Sequence, residues 1–223
     1  MINLFIDCGW VKSKRVEDKM TEQENQISFK IFDLWDISQI EIVDYGLRNV
    51  INLKPLLALK THGRNVVKHG QTKVNIVERL MNKLGLTGHR GKKHKIELGH
   101  ATGKYSKNMN MVIEAFKLIE KRTGKNPVEV LVRAIEKASP RDETTIIEYG
   151  GARYPQAVDV SPIRRVNLAL KNMVHGASDK SFGKKKKLSQ ALAEEIILSY
   201  EENGESVAIR KRKEAEAQAD SAR

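Results

Sequence analysis

Apolar residues recur at helical spacing in five stretches of this chain, and each stretch ends in a recognisable stop. In 74–84, Val74, Val77, Leu80, Met81 and Leu84 share one face, and Gly85 closes the pattern. From Asn108 to Thr123, Val112, Phe116 and Ile119 form a stripe terminated by Gly124. Asn126-Pro127 then opens a helix with Val128, Leu131, Val132 and Ile135 at i, i+3, i+4 and i+7. The short link makes these two antiparallel neighbours. Ser161–His175 aligns Ile163, Val166, Leu170, Met173 and Val174, and Gly176 is predicted to end it. Leu188–Tyr200 turns Leu188, Leu192 and Ile196 inward and Glu194 and Glu195 outward, with Asn203-Gly204 after it.

The stretch 139–165 breaks this rhythm. Pro140 stops the preceding helix, because proline has no amide to donate and clashes with the previous turn. Thr144–Tyr149 is β-branched and aromatic, Gly150-Gly151 can adopt the positive φ of a two-residue turn, and Ala152–Val160 returns. Ser161 suits an N-cap and Pro162 the first helical position. A hairpin arm at about 143–160 follows, with Pro155 marking an edge strand. Two strands alone are marginal in water, and no third pairs obviously with them. The arm is therefore predicted to project, with Arg153 and Tyr154 near its tip and Arg141, Arg164 and Arg165 at its root.

The ends are less regular. Residues 1–26 read as an irregular tail, with Met20 an alternative start, and Ile27–Asp36 as a short strand or anchor packed through Ile31, Leu34 and Trp35. Tyr45–Leu59 reads as a connection draped over the core. Glu205–Arg223 is helix-permissive but poorly amphipathic, so it is expected to fray without a partner. The fold class is mostly α: a single helical-bundle domain over 27–223, of about five to six helices, with a protruding two-stranded β-hairpin and an extended N-terminal segment.

Charge narrows the partner. The net charge is +12 and the pI near 9.7, which favours a polyanion. Residues 60–107 carry 12 Lys and Arg against 2 Asp and Glu, so this block is the main footprint. Thr61–Lys73 offers Arg64, Lys68 and Lys73 beside Gly63 and Gly70; Gly85–Lys107 offers Lys92, Lys93 and Lys95 among glycines. Lys184, Lys185, Lys186 and Lys187 form a second run next to Phe182. The glycine-rich loop is no nucleotide-binding loop. Where that motif needs glycine and Ser or Thr around Gly91-Lys92 stand Leu86 and Lys93, and around Gly103-Lys104 stand Leu98 and Tyr105. His89, His94 and His100 lie among lysines that repel a cation, so no metal site is expected. Cys8 is the single cysteine, which leaves no intrachain disulfide and suits a reducing compartment. No apolar run reaches the roughly 18–20 residues of a membrane span. A soluble, cytoplasmic protein that uses no cofactor is the expectation.

The strings THGRNVVKH, IVERLMNKL, KRTGKNPVEVLVRAIEKASPRDETT, YGGARYPQAVDVSPIRRVNLAL and LAEEIILS resemble the S-seven family of small-subunit ribosomal proteins in its archaeal and eukaryotic form. The resemblance runs from about Ile27 to Arg223 and excludes roughly the first 19 residues. It implies a non-enzymatic protein of the ribosome that binds the 3′ major domain of the small-subunit rRNA and nucleates assembly of the subunit head. It places the arm, with Tyr149, Gly150, Gly151, Arg153 and Tyr154 at its tip, near exit-site tRNA and the mRNA path. Neighbouring head and platform proteins would be its protein partners. Two other classes fit less well. A DNA-binding regulator needs base-reading side chains on a recognition helix, and the best candidate, opened by Ser161-Pro162, offers arginines suited equally to phosphates. An RNA-modifying enzyme needs a catalytic carboxylate or cofactor loop, and the sequence offers neither.

Overall fold

A computed structural model describes residues 30–57, 66–87 and 104–223. Two short strands, β1 (Lys30–Ile31) and β2 (Trp35–Asp36), pair antiparallel at the N-terminal edge. Helix α1 (Ile76–Leu84) follows a 3-10 turn at Gly70–Lys73, and α2 (Tyr105–Thr123) and α3 (Pro127–Ala138) come next. The arm is built of β3 (Asp142–Tyr149) and β4 (Ala152–Asp159). Helices α4 (Pro162–Ser181), α5 (Leu188–Tyr200) and α6 (Val207–Ser221) complete the described fold. Six helices and a two-stranded arm among the described residues match the architecture expected from the sequence.

Local chemistry sets the helix starts. Asn75 and Asn126 each turn a side-chain oxygen back to the amide two residues on, at 2.9 and 3.0 Å, satisfying a donor that the first turn leaves open. Gly124 ends α2 at φ 65°, a conformation that costs a side chain about 1 kcal/mol or more. Helix α5 sits at the centre and contacts α2, α3, α4 and α6. Burial on several sides explains why its sequence shows only a narrow stripe: Ala191, Leu192, Ala193, Ile196 and Ser199 are all buried.

The N-terminal segment seals one side of this core. Trp35 packs edge-on against Phe116, with centroids 5.5 Å apart, and its indole N–H donates to Glu120 at 3.0 Å. Ile31, Leu47, Val50 and Ile51 are buried beside it, each side chain contributing about 1.5–3 kcal/mol. Leu34 departs from expectation: it lies in the turn between β1 and β2 and faces solvent.

Three further expectations need correction. The fourth helix runs through Gly176 to Ser181, because that glycine is buried where Glu195 and Val207 come too close for any side chain. Glu195 points inward and is fully buried. Its carboxylate accepts from Lys180 at 2.6 Å, from the Ser206 hydroxyl at 2.8 Å and from the Ala208 amide at 3.2 Å. The chain's end does not fray: Ser206 caps α6, Glu195 supplies a negative charge at its N-terminus, and the helix packs on α4 and on β3. Arg79 likewise belongs to the interior. Its guanidinium donates to the Val50 carbonyl at 3.1 Å and to Asn167 at 3.3 Å, and burial lowers its pKa to about 10.

Candidate nucleic-acid interface

The arm's turn uses the chemistry its sequence offers. Gly150 and Gly151 both have positive φ, 59° and 82°, as a tight two-residue hairpin requires. Pairing runs from Asp142 opposite Asp159 to Tyr149 opposite Ala152. Partners share a face, so Ile147, Tyr154 and Tyr149 lie on one side of the ribbon. Ile146, Pro155, Glu148 and Arg153 lie on the other, with Arg153 and Glu148 paired at 3.5 Å. Tyr149 is 81% exposed and Tyr154 59%. Every residue from 145 to 156 is exposed, so neither face of the outer arm is covered among the described residues.

The root is braced by the body. The Arg141 amide donates to Glu216 of α6 at 3.2 Å, and Val160 donates to the Arg141 carbonyl at 2.8 Å. Arg223 reaches Asp142 at 2.6 Å, and Arg212 donates to the Lys137 carbonyl. Arg164 grips Glu143 with Nε and Nη2 at 2.6 and 2.7 Å. That two-point contact holds the Glu143 carboxyl below its ordinary pKa and raises that of Arg164. Arg165 is more committed still. Its side chain is only 11% exposed, and it donates to Asp44 at 2.7 Å and to Ser139 at 3.1 Å. Burial alone would raise the Asp44 pKa, but Arg165, the Gly46 amide and the charge of Arg141 together outweigh it and the net direction is down.

The sequence-selected cations therefore separate into groups. Arg141, Arg164 and Arg165 gather at the arm's root, where the last two already hold carboxylates. Lys184–Lys187 occupy the α4–α5 loop, about 25 Å away along a helix that rises 1.5 Å per residue. Lys186 pairs with Glu194, Lys187 approaches Glu114 at 3.7 Å, and Lys184 and Lys185 are exposed. Lys68 and Lys73 are exposed around the 3-10 turn. Arg64, Lys92, Lys93 and Lys95 lie outside the described residues, as do the histidines considered for metal. Helical spacing puts Lys83, with Lys73 and Arg79, off the apolar face of α1, and in the structure Lys83 is half-buried. Burial lowers its pKa first, and Arg79 and Lys171 add like-charge repulsion. No spacing rule announces that cluster, because its members come from two helices.

Among the described residues, no helix is long and apolar enough to cross a membrane, and no group of acidic, histidine or cysteine side chains forms a metal cluster. The described residues present a helical body with exposed lysines and a tyrosine-bearing ribbon, an arrangement suited to the surface of folded RNA.

The sequence pattern of the family described as Ribosomal protein S7p/S5e matches residues 58–223, and the chain belongs to that family. The small ribosomal subunit protein uS7 of Nanoarchaeum equitans is 49% identical over 199 residues, covering 88% of this chain and all of the relative. Those of Cenarchaeum symbiosum and Methanosphaera stadtmanae are 42% and 41% identical, covering 92% and 88% of this chain and the whole of each relative. The family is one of structural ribosomal proteins and not of enzymes.

Proposed function

We propose that this chain is a structural constituent of the small ribosomal subunit that binds the 3′ major domain of its rRNA and nucleates assembly of the head. The exposed arm carries the ribosomal part of this reading, and the exposed lysines of the body carry the RNA-binding part: eight-residue strands with both faces of the outer half uncovered are weakly held in a free monomer. They suit a ribbon that completes its contacts only within a larger particle. Tyr149, Gly150, Gly151, Arg153 and Tyr154 then meet exit-site tRNA and the mRNA path, next to head and platform proteins in the cytoplasmic ribosome. Arg64, Lys68, Lys73, Lys92, Lys93, Lys95, Arg141, Lys184 and Lys185 supply phosphate contacts. Arg164 and Lys187, both more than half exposed, turn to RNA as well, whereas Arg165 and Lys186, each held in a close ion pair, mainly order the surface around them. A DNA-reading role for α4 is disfavoured, since Arg165 is buried against Asp44, which leaves Arg164 alone in its first turns to reach a phosphate and no set of side chains to read base edges.

Titration of the full chain against the 3′ domain RNA at several salt concentrations tests this. Affinity should fall steeply with salt, with a log–log slope reduced by up to about 0.9 for each phosphate contact removed. Lys184→Ala with Lys185→Ala, and separately Lys92→Ala with Lys93→Ala, should each flatten it. Salt-independent binding, or failure of the chain to co-sediment with small subunits, would overturn the reading.

A further inference from the structure

Where α4 ends and α5 begins, an open pocket of about 510 Å³ lies against the side of α2. That volume falls within the roughly 300–1,000 Å³ of pockets that accept small-molecule-sized groups. Its wall carries Lys107, Lys184, Lys186 and Lys187 against the single carboxylate of Glu114, so the lining is net positive. Met111 and Leu188 provide apolar surface, and the Phe182 ring borders the opening. Phe182 is a large apolar side chain left 49% exposed amid charge. It is held in place: its amide donates to Ser178 at 2.8 Å, and Gly183, at φ 67°, turns the chain immediately after it. Lys184 donates back to Ser181 at 3.2 Å, and the Lys186–Glu194 pair anchors the far side of the loop.

An apolar wall with one exposed ring, rimmed by lysines, is complementary to a group with a flat π-face and an attached anion. We propose that this pocket receives one unstacked nucleotide of the bound RNA, its base against Phe182 and its phosphate toward the exposed Lys184 and Lys187. The proposal rests on the RNA-binding reading above and names one place where the RNA is gripped by shape as well as by charge. A base stacked on an aromatic ring tolerates any sequence, because every base has a π-face. The pocket thus demands an unpaired residue in the RNA rather than a particular letter.

Irradiating the full chain with the 3′ domain RNA at 254 nm, then mapping cross-linked peptides by mass spectrometry, tests it. Phe182 should cross-link to one nucleotide. Phe182→Ala should abolish that cross-link and weaken binding roughly tenfold with little change in salt slope, since no phosphate contact is lost. Phe182→Trp should restore both. RNA binding with a steep salt slope, but with no cross-link at Phe182 and no loss in Phe182→Ala, would overturn the pocket and leave the RNA reading standing. Absence of salt-dependent binding by the unmodified chain would overturn both.

Discussion

Glu195 and Gly176 face each other across the α4–α5 contact so closely that a methyl group on Gly176 would meet the Glu195 carboxyl carbon at 2.8 Å. Val207 stands 2.9 Å from the same point. The glycine inside α4 is thus the space that lets a buried carboxylate and the start of α6 come together.

Gly176→Ala should therefore destabilise the protein, although alanine in a helix interior is worth about 1 kcal/mol over glycine. Overpacking costs typically 1–3 kcal/mol and should win, because Glu195 is fixed by three hydrogen bonds and cannot withdraw freely. A lower urea midpoint with an unchanged m-value is the expected outcome. A raised midpoint would show that the site can relax.

Glu195→Ala removes the acceptor of Lys180, Ser206 and the Ala208 amide together. Removing one partner of a buried pair typically costs 3–5 kcal/mol. Lys180 is partly exposed and can rehydrate, so a value near the low end, about 3 kcal/mol, is expected. Limited proteolysis should also cut first between 200 and 223, since the lost contacts are those that seat α6.

The Glu143–Arg164 pair should make the arm's root sensitive to acid. Arg164 holds the folded-state pKa of Glu143 below the ordinary 4.5. The pair's stabilisation is therefore complete above about pH 4.5 and is lost as the pH falls through the folded-state value. Both side chains reach solvent, which limits the effect to about 1 kcal/mol. The protection factors of amides 142–145, taken against the intrinsic exchange rate at each pH, should fall on acidification in the unmodified protein. In Glu143→Gln they should already be low at neutral pH and change less.

Removing the outer arm should leave the body intact. Deletion of 146–156, closed by a short glycine linker, takes away only exposed residues and keeps the root contacts of Arg141, Asp142 and Glu143. The melting temperature should shift by no more than about 2–4 °C, equivalent to under 1 kcal/mol at this size. Affinity for the 3′ domain RNA should change by less than about threefold, while reading-frame maintenance in assembled ribosomes should worsen. Failure of the deleted chain to enter subunits would show that the arm belongs to the primary binding surface.

Much of this molecule is written in short-range pattern. Helical spacing of Val112, Phe116 and Ile119, the Asn126-Pro127 start and the Gly150-Gly151 turn each act through residues a few positions apart, so their outcomes can be read without knowing the fold. The arm was legible for the same reason, down to its turn and its returning strand. Charge was legible as a quantity: the basic block and the lysine run identify a polyanion partner whatever the packing.

The use of each individual charge was decided elsewhere. Arg165 reads as a phosphate ligand until Asp44, 121 residues earlier, is brought against it. Glu195 reads as a solvent-facing residue of α5 until α4 and α6 close over it, and α6 itself looks too weakly amphipathic to hold until Glu195 and the arm's root supply its contacts. The physical reason is common to these cases. Spacing along a helix reports which residues share a face, but a charge is buried, paired or left to solvent by groups from distant segments. Only the tertiary structure places those groups within hydrogen-bonding reach.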